Sequence, residues 1–154
     1  FIREFVLENT GWDCSTYLSQ ILTLDMLTLN TDRHFNNLGL IVDASTGVYK
    51  VAPIFDNGNS LLSDWDRFDE ETMEDNLEKV YGQPFSASLE MQAYEAGIGL
   101  RIDYRKLKSI LENEPDSRGM KVLKYQLKRY HNIIPDYKMK KENKFVQDAP
   151  VLKF

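Results

Sequence analysis

The chain has 154 residues, of which 42% are hydrophobic and 28% charged, the balance of an ordinary globular protein with room for one core. Nineteen Lys and Arg against 24 Asp and Glu leave a net charge of −5, which excludes bulk electrostatic binding to nucleic acid. Cys14 is the only cysteine, which excludes an internal disulfide and a cysteine-rich zinc cluster, and no apolar run reaches the ~18–20 residues of a membrane span. The expected setting is the reducing cytoplasm.

The total charge hides an asymmetry: residues 1–100 carry 17 acidic and 5 basic side chains, whereas 101–154 carry 7 acidic and 14 basic ones. The chain opens on Phe1 rather than Met, without the pattern of a secretory signal, and is read as a fragment or a processed product.

Ser15 is placed to cap a helix running through Leu27, whose apolar residues Tyr17, Leu18, Ile21, Leu22, Leu24, Met26 and Leu27 wrap most of its circumference. Such a helix is expected to be central and buried. Asp25 interrupts it, and a carboxylate there either braces a neighbouring loop or faces solvent, since burial without a partner is costly. Leu38–Val42 and Val48–Ala52 read as two short strands joined by Asp43-Ala44-Ser45-Thr46-Gly47, a hairpin closed by Pro53.

Between and beyond these elements lie Asn30-Thr31-Asp32-Arg33-His34-Phe35-Asn36-Asn37 and Pro53-Ile54-Phe55-Asp56-Asn57-Gly58. Two antiparallel strands return the chain nearly to its start, so Asp56 is expected to approach Asn37 across 19 positions. A carboxylate, an Asn five residues on and a second carboxylate beyond one hairpin suit phosphoryl transfer. The first orients or deprotonates the attacking hydroxyl, and the other two offer hard oxygens to Mg²⁺. Arg33 is placed to meet a phosphate, a carboxylate or solvent, and His34 is expected to bridge loop segments through its two ring nitrogens.

Farther on, the acidic run Asp64, Asp66, Asp69, Glu70, Glu71, Glu74, Asp75, Glu78 reads as a solvated face, with a docking surface for a basic partner as the alternative. Gly82-Gln83-Pro84 breaks the chain, and Met91–Ala96 is read as helical within an otherwise ambiguous stretch 69–99. Gly97-Ile98-Gly99 is assigned to chain bending. Asp103 can cap a helix bearing Tyr104, Leu107, Ile110 and Leu111 on one face and ending before Pro115. Asp116 or Ser117 can cap another, with Met120, Leu123, Leu127 and Tyr130 facing the core and Lys121, Lys124 and Lys128 facing solvent. From Pro135 onward the chain reads as a basic polar tail.

The segment Thr31-Asp32-Arg33-His34-Phe35-Asn36-Asn37 resembles the D-x-H-x-x-N catalytic loop of HipA-like serine/threonine kinases and is similar to the D-R-H-x-x-N of phosphatidylinositol-class lipid kinases. Asn37-Leu38-Gly39 and Ala52-Pro53-Ile54-Phe55-Asp56 bring it closer to the HipA-like pattern. The resemblance is strong over residues 30–62. It implies an α+β, mainly α-helical fold, the protein-kinase-like C-terminal lobe over residues 1–134, with a short β-hairpin carrying the metal site and residues 135–154 as the tail. By position, Asp32 resembles the catalytic aspartate, Asn37 the metal-binding asparagine, and Asp56 the aspartate of the Asp-Phe-Gly motif. Arg33 and His34 are supporting residues. ATP and Mg²⁺ are the implied cofactors and a protein hydroxyl the implied acceptor. The resemblance further suggests a toxin–antitoxin setting with a DNA-binding partner.

The pattern departs from ordinary protein kinases in its Asp-Arg-His order and in the Asn57-Gly58 that follows Asp56. No glycine-rich loop or strand lysine precedes Asp32, and Lys50 reads as an exposed strand residue. A nucleotide-clamping N-terminal lobe is therefore expected from elsewhere, in cis or in trans, and the fragment alone is expected to be weakly active or inactive. Ser60 and Ser63 fall where kinases place an activation segment. Two other readings use the same residues: an inactive kinase-like scaffold, and a lipid or small-molecule kinase.

Overall fold

A computed structural model describes residues 1–69 and 72–138. The chain is mostly helical, with one two-stranded antiparallel sheet. In order come α1 (Ile2–Thr10), α2 (Ser15–Thr28), a short 3₁₀ turn (Phe35–Asn37), β1 (Leu40–Val42), β2 (Tyr49–Val51), α3 (Met73–Glu78), α4 (Leu89–Ala96), α5 (Tyr104–Asn113) and α6 (Arg118–Tyr130).

The central helix is α2, which buries Tyr17, Leu18, Ile21, Leu22, Met26 and Leu27 together with Thr23 and Asp25. Ser15 is its first residue rather than its cap: Cys14 holds the cap position, and Asp13 Oδ1 accepts from the Ser15 N–H at 2.9 Å and the Ser15 hydroxyl at 2.5 Å. A carboxylate two residues earlier does the capping work. α4 and α6 pack on α2, and the core joins Met26, Leu27 and Leu29 to Leu62, Phe68, Leu89, Ala93, Leu100, Ile102, Leu107, Val122, Leu127 and Ile134. Gln126 reaches in from α6, its Nε2 donating to the Met26 carbonyl at 3.1 Å.

Gly97 makes the expected bend at φ +86, but Gly99 has a different job. A Cβ there would run into the α2 backbone at Ser19 and Gln20, and its N–H donates to Thr23 Oγ1 at 3.0 Å. Glycine is needed for close approach to the central helix.

Three helix starts follow their caps: Asp103 accepts from the Lys106 N–H, Ser88 from that of Met91, and Ser117 from that of Met120. On α6 the lysines at 121, 124 and 128 are exposed, while the core face is Val122, Gln126, Leu127 and Tyr130, with Met120 and Leu123 half-buried. α1 and α3 had no counterpart in the sequence reading. α1 buries none of its residues. Beyond Ile134 the chain stays packed for a few residues: the Ile102 N–H donates to the Pro135 carbonyl at 3.1 Å, and the Tyr137 N–H to the Ile102 carbonyl at 3.0 Å. The rest of the expected tail, 139–154, lies outside the described residues, as do Glu70 and Glu71 of the acidic run.

The hairpin pairs Leu40 with Val51, Ile41 with Lys50 and Val42 with Tyr49. Each strand is shorter than expected, and Ile41, Val42, Tyr49, Lys50 and Val51 are all exposed. Its apolar residues therefore mark strand propensity rather than core.

Candidate active site

α2 ends at Leu29, a non-glycine residue at φ 56, and this left-handed step turns the chain into the loop 30–37. After the hairpin the chain passes through Asp56, Leu61 and Leu62, also at φ 56. The two segments are joined by backbone bonds from the Thr31 N–H to the Asn59 carbonyl at 3.1 Å and from the Leu61 N–H to the Thr28 carbonyl at 2.7 Å. Left-handed conformations at non-glycine residues cost energy and persist only where the surroundings enforce them.

Between these segments sits Arg33, which is fully buried. Its Nε donates to Asp25 Oδ2 at 2.9 Å and its Nη2 to Asp25 Oδ1 at 3.0 Å, a two-point clamp on the carboxylate inside α2. Nη1 donates to the Phe55 carbonyl at 2.7 Å and the Asn37 carbonyl at 3.3 Å, while Nη2 also reaches Asn57 Oδ1 at 2.5 Å. Asn30 Nδ2 adds a bond to Asp25 Oδ1 at 3.1 Å. Burial pushes the Asp25 carboxyl up from its ordinary range, with Arg33 and Asn30 opposing that shift. Of the alternatives open for Asp25 and Arg33, the structure selects bracing: one guanidinium ties α2, the loop before the hairpin and the segment after it. Arg33 is thus engaged internally and faces neither phosphate nor solvent.

Asp32 is half-buried, and both of its carboxylate oxygens accept a side-chain amide bond, Oδ2 from Asn59 Nδ2 at 3.0 Å and Oδ1 from Gln83 Nε2 at 3.2 Å. Its carbonyl accepts from Asn37 Nδ2 and from the His34 N–H, each at 2.9 Å. Asn37 is buried and spends its amide nitrogen on Asp32, while its Oδ1 meets no donor among the described residues. Asp56 is exposed, and its carboxylate has no hydrogen-bond or ion-pair partner among the described residues. Arg33 Nη1 holds the Asn37 carbonyl and the carbonyl of Phe55, the residue before Asp56. His34 supplies backbone to the turn, and its ring Nδ1 is buried without a partner.

Asn37 Oδ1 and the Asp56 carboxylate are thus uncommitted oxygens of the hard kind that a divalent cation such as Mg²⁺ takes. Among the described residues no group of three or more His, Cys, Asp or Glu could hold a metal by itself. Ser63 is tied down, its hydroxyl donating to the Gly58 carbonyl at 2.6 Å. The acidic run is partly used within the fold: Asp64 Oδ1 accepts from the Asp66 and Arg67 N–H groups, and Asp69 lies 3.5 Å from Lys79. A groove of about 680 Å³ between α5 and α6, lined by Tyr104, Leu107, Leu111 and Leu127, holds none of the expected site residues.

Asn59 and Gln83 were absent from the sequence reading. Gln83 lies 51 positions from Asp32, a separation that leaves no local signal. No helix among the described residues is long and apolar enough to cross a membrane. No protein-family model and no curated protein matches the chain. Among solved structures it is similar to the crystal structure of a Helicobacter pylori proinflammatory kinase, CtkA, with a TM-score of 0.45 and 20% identity over 78% of this chain and 53% of that one. The chain thus spans about half the length of that kinase.

Proposed function

We propose that this chain is the C-terminal catalytic lobe of a HipA-like, ATP-dependent Ser/Thr protein kinase. The observation that carries the reading is the Asp32 carboxylate, which accepts at both oxygens from Asn59 and Gln83, next to a buried Arg33 that holds the Asn37 and Phe55 carbonyls. A carboxylate so oriented can receive a hydroxyl, and its remaining lone pairs stay free for that proton.

In the proposed reaction the acceptor oxygen forms a bond to the γ-phosphorus while the bond from that phosphorus to the β–γ bridging oxygen breaks. The hydroxyl proton passes to Asp32 Oδ, and the nucleoside diphosphate leaves with the bridging oxygen's electron pair. Asn37 Oδ1 and the Asp56 carboxylate would hold Mg²⁺, which when bound neutralises charge on the β- and γ-phosphates. A nucleotide-clamping lobe, in cis or in trans, would supply the phosphate-covering loop.

The test is transfer of labelled γ-phosphate from ATP by the full-length protein, beside its Asp32→Ala and Asp56→Asn variants. Both variants are expected to lose transfer by at least about 10²-fold. Undiminished transfer in either defeats the assignment.

A further inference from the structure

The segment that delivers Gln83 to Asp32 is built with more care than a connector needs. It is a tight loop closed by the Gly82 N–H donating to the Ala87 carbonyl at 2.7 Å. Gly82 is buried, and a Cβ on it would fall 2.6 Å from Gln92 Nε2 and 2.7 Å from Leu89 Cδ2, so any larger residue would have to move the Gln92 and Leu89 side chains of α4. Gln92 holds the far side, its Oε1 accepting from the Phe85 N–H at 3.0 Å. Phe85 in turn meets Phe35 of the 30–37 loop edge-to-face, with ring centroids 5.5 Å apart. Gln83 Nε2 then donates twice, to the Thr31 carbonyl at 3.1 Å and to Asp32 Oδ1 at 3.2 Å.

These contacts close the loop on itself and fix it against α4 and the 30–37 loop, and their common result is one amide placed on one carboxylate oxygen. We infer that Gln83 is a positioning residue for Asp32. Together with Asn59 on the opposite oxygen, it sets the carboxylate rotamer that receives the substrate hydroxyl. An isolated Asp has a broad, roughly two-fold terminal torsion, and two amide donors from separate segments select one orientation. A misplacement of about 1 Å in such a group costs on the order of 10²-fold in rate. The inference rests on the kinase reading given above.

The experiment uses the full-length protein with labelled ATP, following γ-phosphate transfer to casein and to water, and compares Gln83→Ala, Gln83→Glu and Asp32→Ala. Gln83→Ala is expected to lower kcat by about 10- to 100-fold with KM for ATP within twofold of the parent. Gln83→Glu fills the same space without the N–H donor and is expected to lose at least as much, whereas a purely space-filling role would be restored by it. Thermal melts check that the variants are folded. Should Gln83→Ala unfold the protein, Gln83→Glu alone decides: parental kcat overturns the positioning role, and a loss of at least tenfold supports it. A protein in which Asp32→Ala abolishes transfer but both Gln83 variants keep parental kcat overturns the positioning role alone. One that transfers phosphate to neither acceptor, or transfers it equally well after Asp32→Ala, overturns the kinase reading itself.

Discussion

In the loop 30–37, Asn30, Thr31, Arg33 and Asn37 are buried, the first three hydrogen-bonded to neighbouring segments and Asn37 to the loop itself, whereas in the hairpin just downstream Ile41, Val42, Tyr49 and Val51 are exposed. The hairpin is held by its own ladder and the Asp43 turn, with Asp43 Oδ1 accepting from the Ser45 N–H at 2.9 Å and its hydroxyl at 2.6 Å. The loop is polar yet rigid; the hairpin is apolar yet at the surface. Asn30, Arg33 and the Asp32 carboxylate are satisfied by partners from other segments, which favours one arrangement of the loop, while Asn37 Oδ1 and the buried His34 Nδ1 stay unpaired among the described residues. The hairpin's part is to return the chain so that the Phe55 carbonyl and Asn57 Oδ1 meet Arg33.

The contrast breaks hardest at Arg33. Arg33→Met strands the Asp25 carboxylate in the core and is expected to cost about 3–5 kcal/mol, a fall in Tm on the order of 10 °C for a chain of this size. Combining it with Asp25→Leu should recover part of that loss, because the pair is then replaced by apolar groups. A double variant no more stable than the single one, in thermal or urea melts, would contradict the buried ion pair.

A smaller loss is expected on the other side of α2. Gly99→Ala forces a methyl into the Ser19–Gln20 backbone, and overpacking of this kind costs about 1–3 kcal/mol in denaturant titration. High pH should act next. Burial pushes the Tyr104 phenol up to about 12, Asp136 adding to the effect, and burial with Glu90 raises Tyr130 as well. With folded-state values above that of the unfolded chain, stability is intact below about pH 10 and falls as pH climbs through 12. Melts at pH 9 and pH 11 measure that slope, and Tyr104→Phe should flatten it. Smallest of all should be Ile41→Thr or Val42→Thr on the exposed hairpin, within about 0.5 kcal/mol of the parent; a loss of several kcal/mol would mean that something covers this face.

The parts legible in the sequence were those with a local cause. Asp103 and Ser117 announce their helices through caps, the apolar wrap of 17–27 marks a buried helix, and a turn-rich pentapeptide between β-branched runs marks the hairpin. Asp25 was conspicuous as a carboxylate in an apolar helix, but the choice of Arg33 as its partner needed the fold. Gln83 and Asn59 were illegible, since contacts across 51 and 27 positions follow from packing rather than from periodicity. α3 was hidden by its six-residue length and acidic composition, with a cap at Thr72 as its one local sign.

The central claim is that Asp32 receives the proton of a hydroxyl attacking ATP. Its most direct measurement is kcat for γ-phosphate transfer by the full-length Asp32→Asn variant, which keeps the side chain's shape and loses its charge. A fall of about 10²- to 10⁴-fold in a variant that still melts cooperatively is expected; transfer at the parental rate would contradict the role of Asp32.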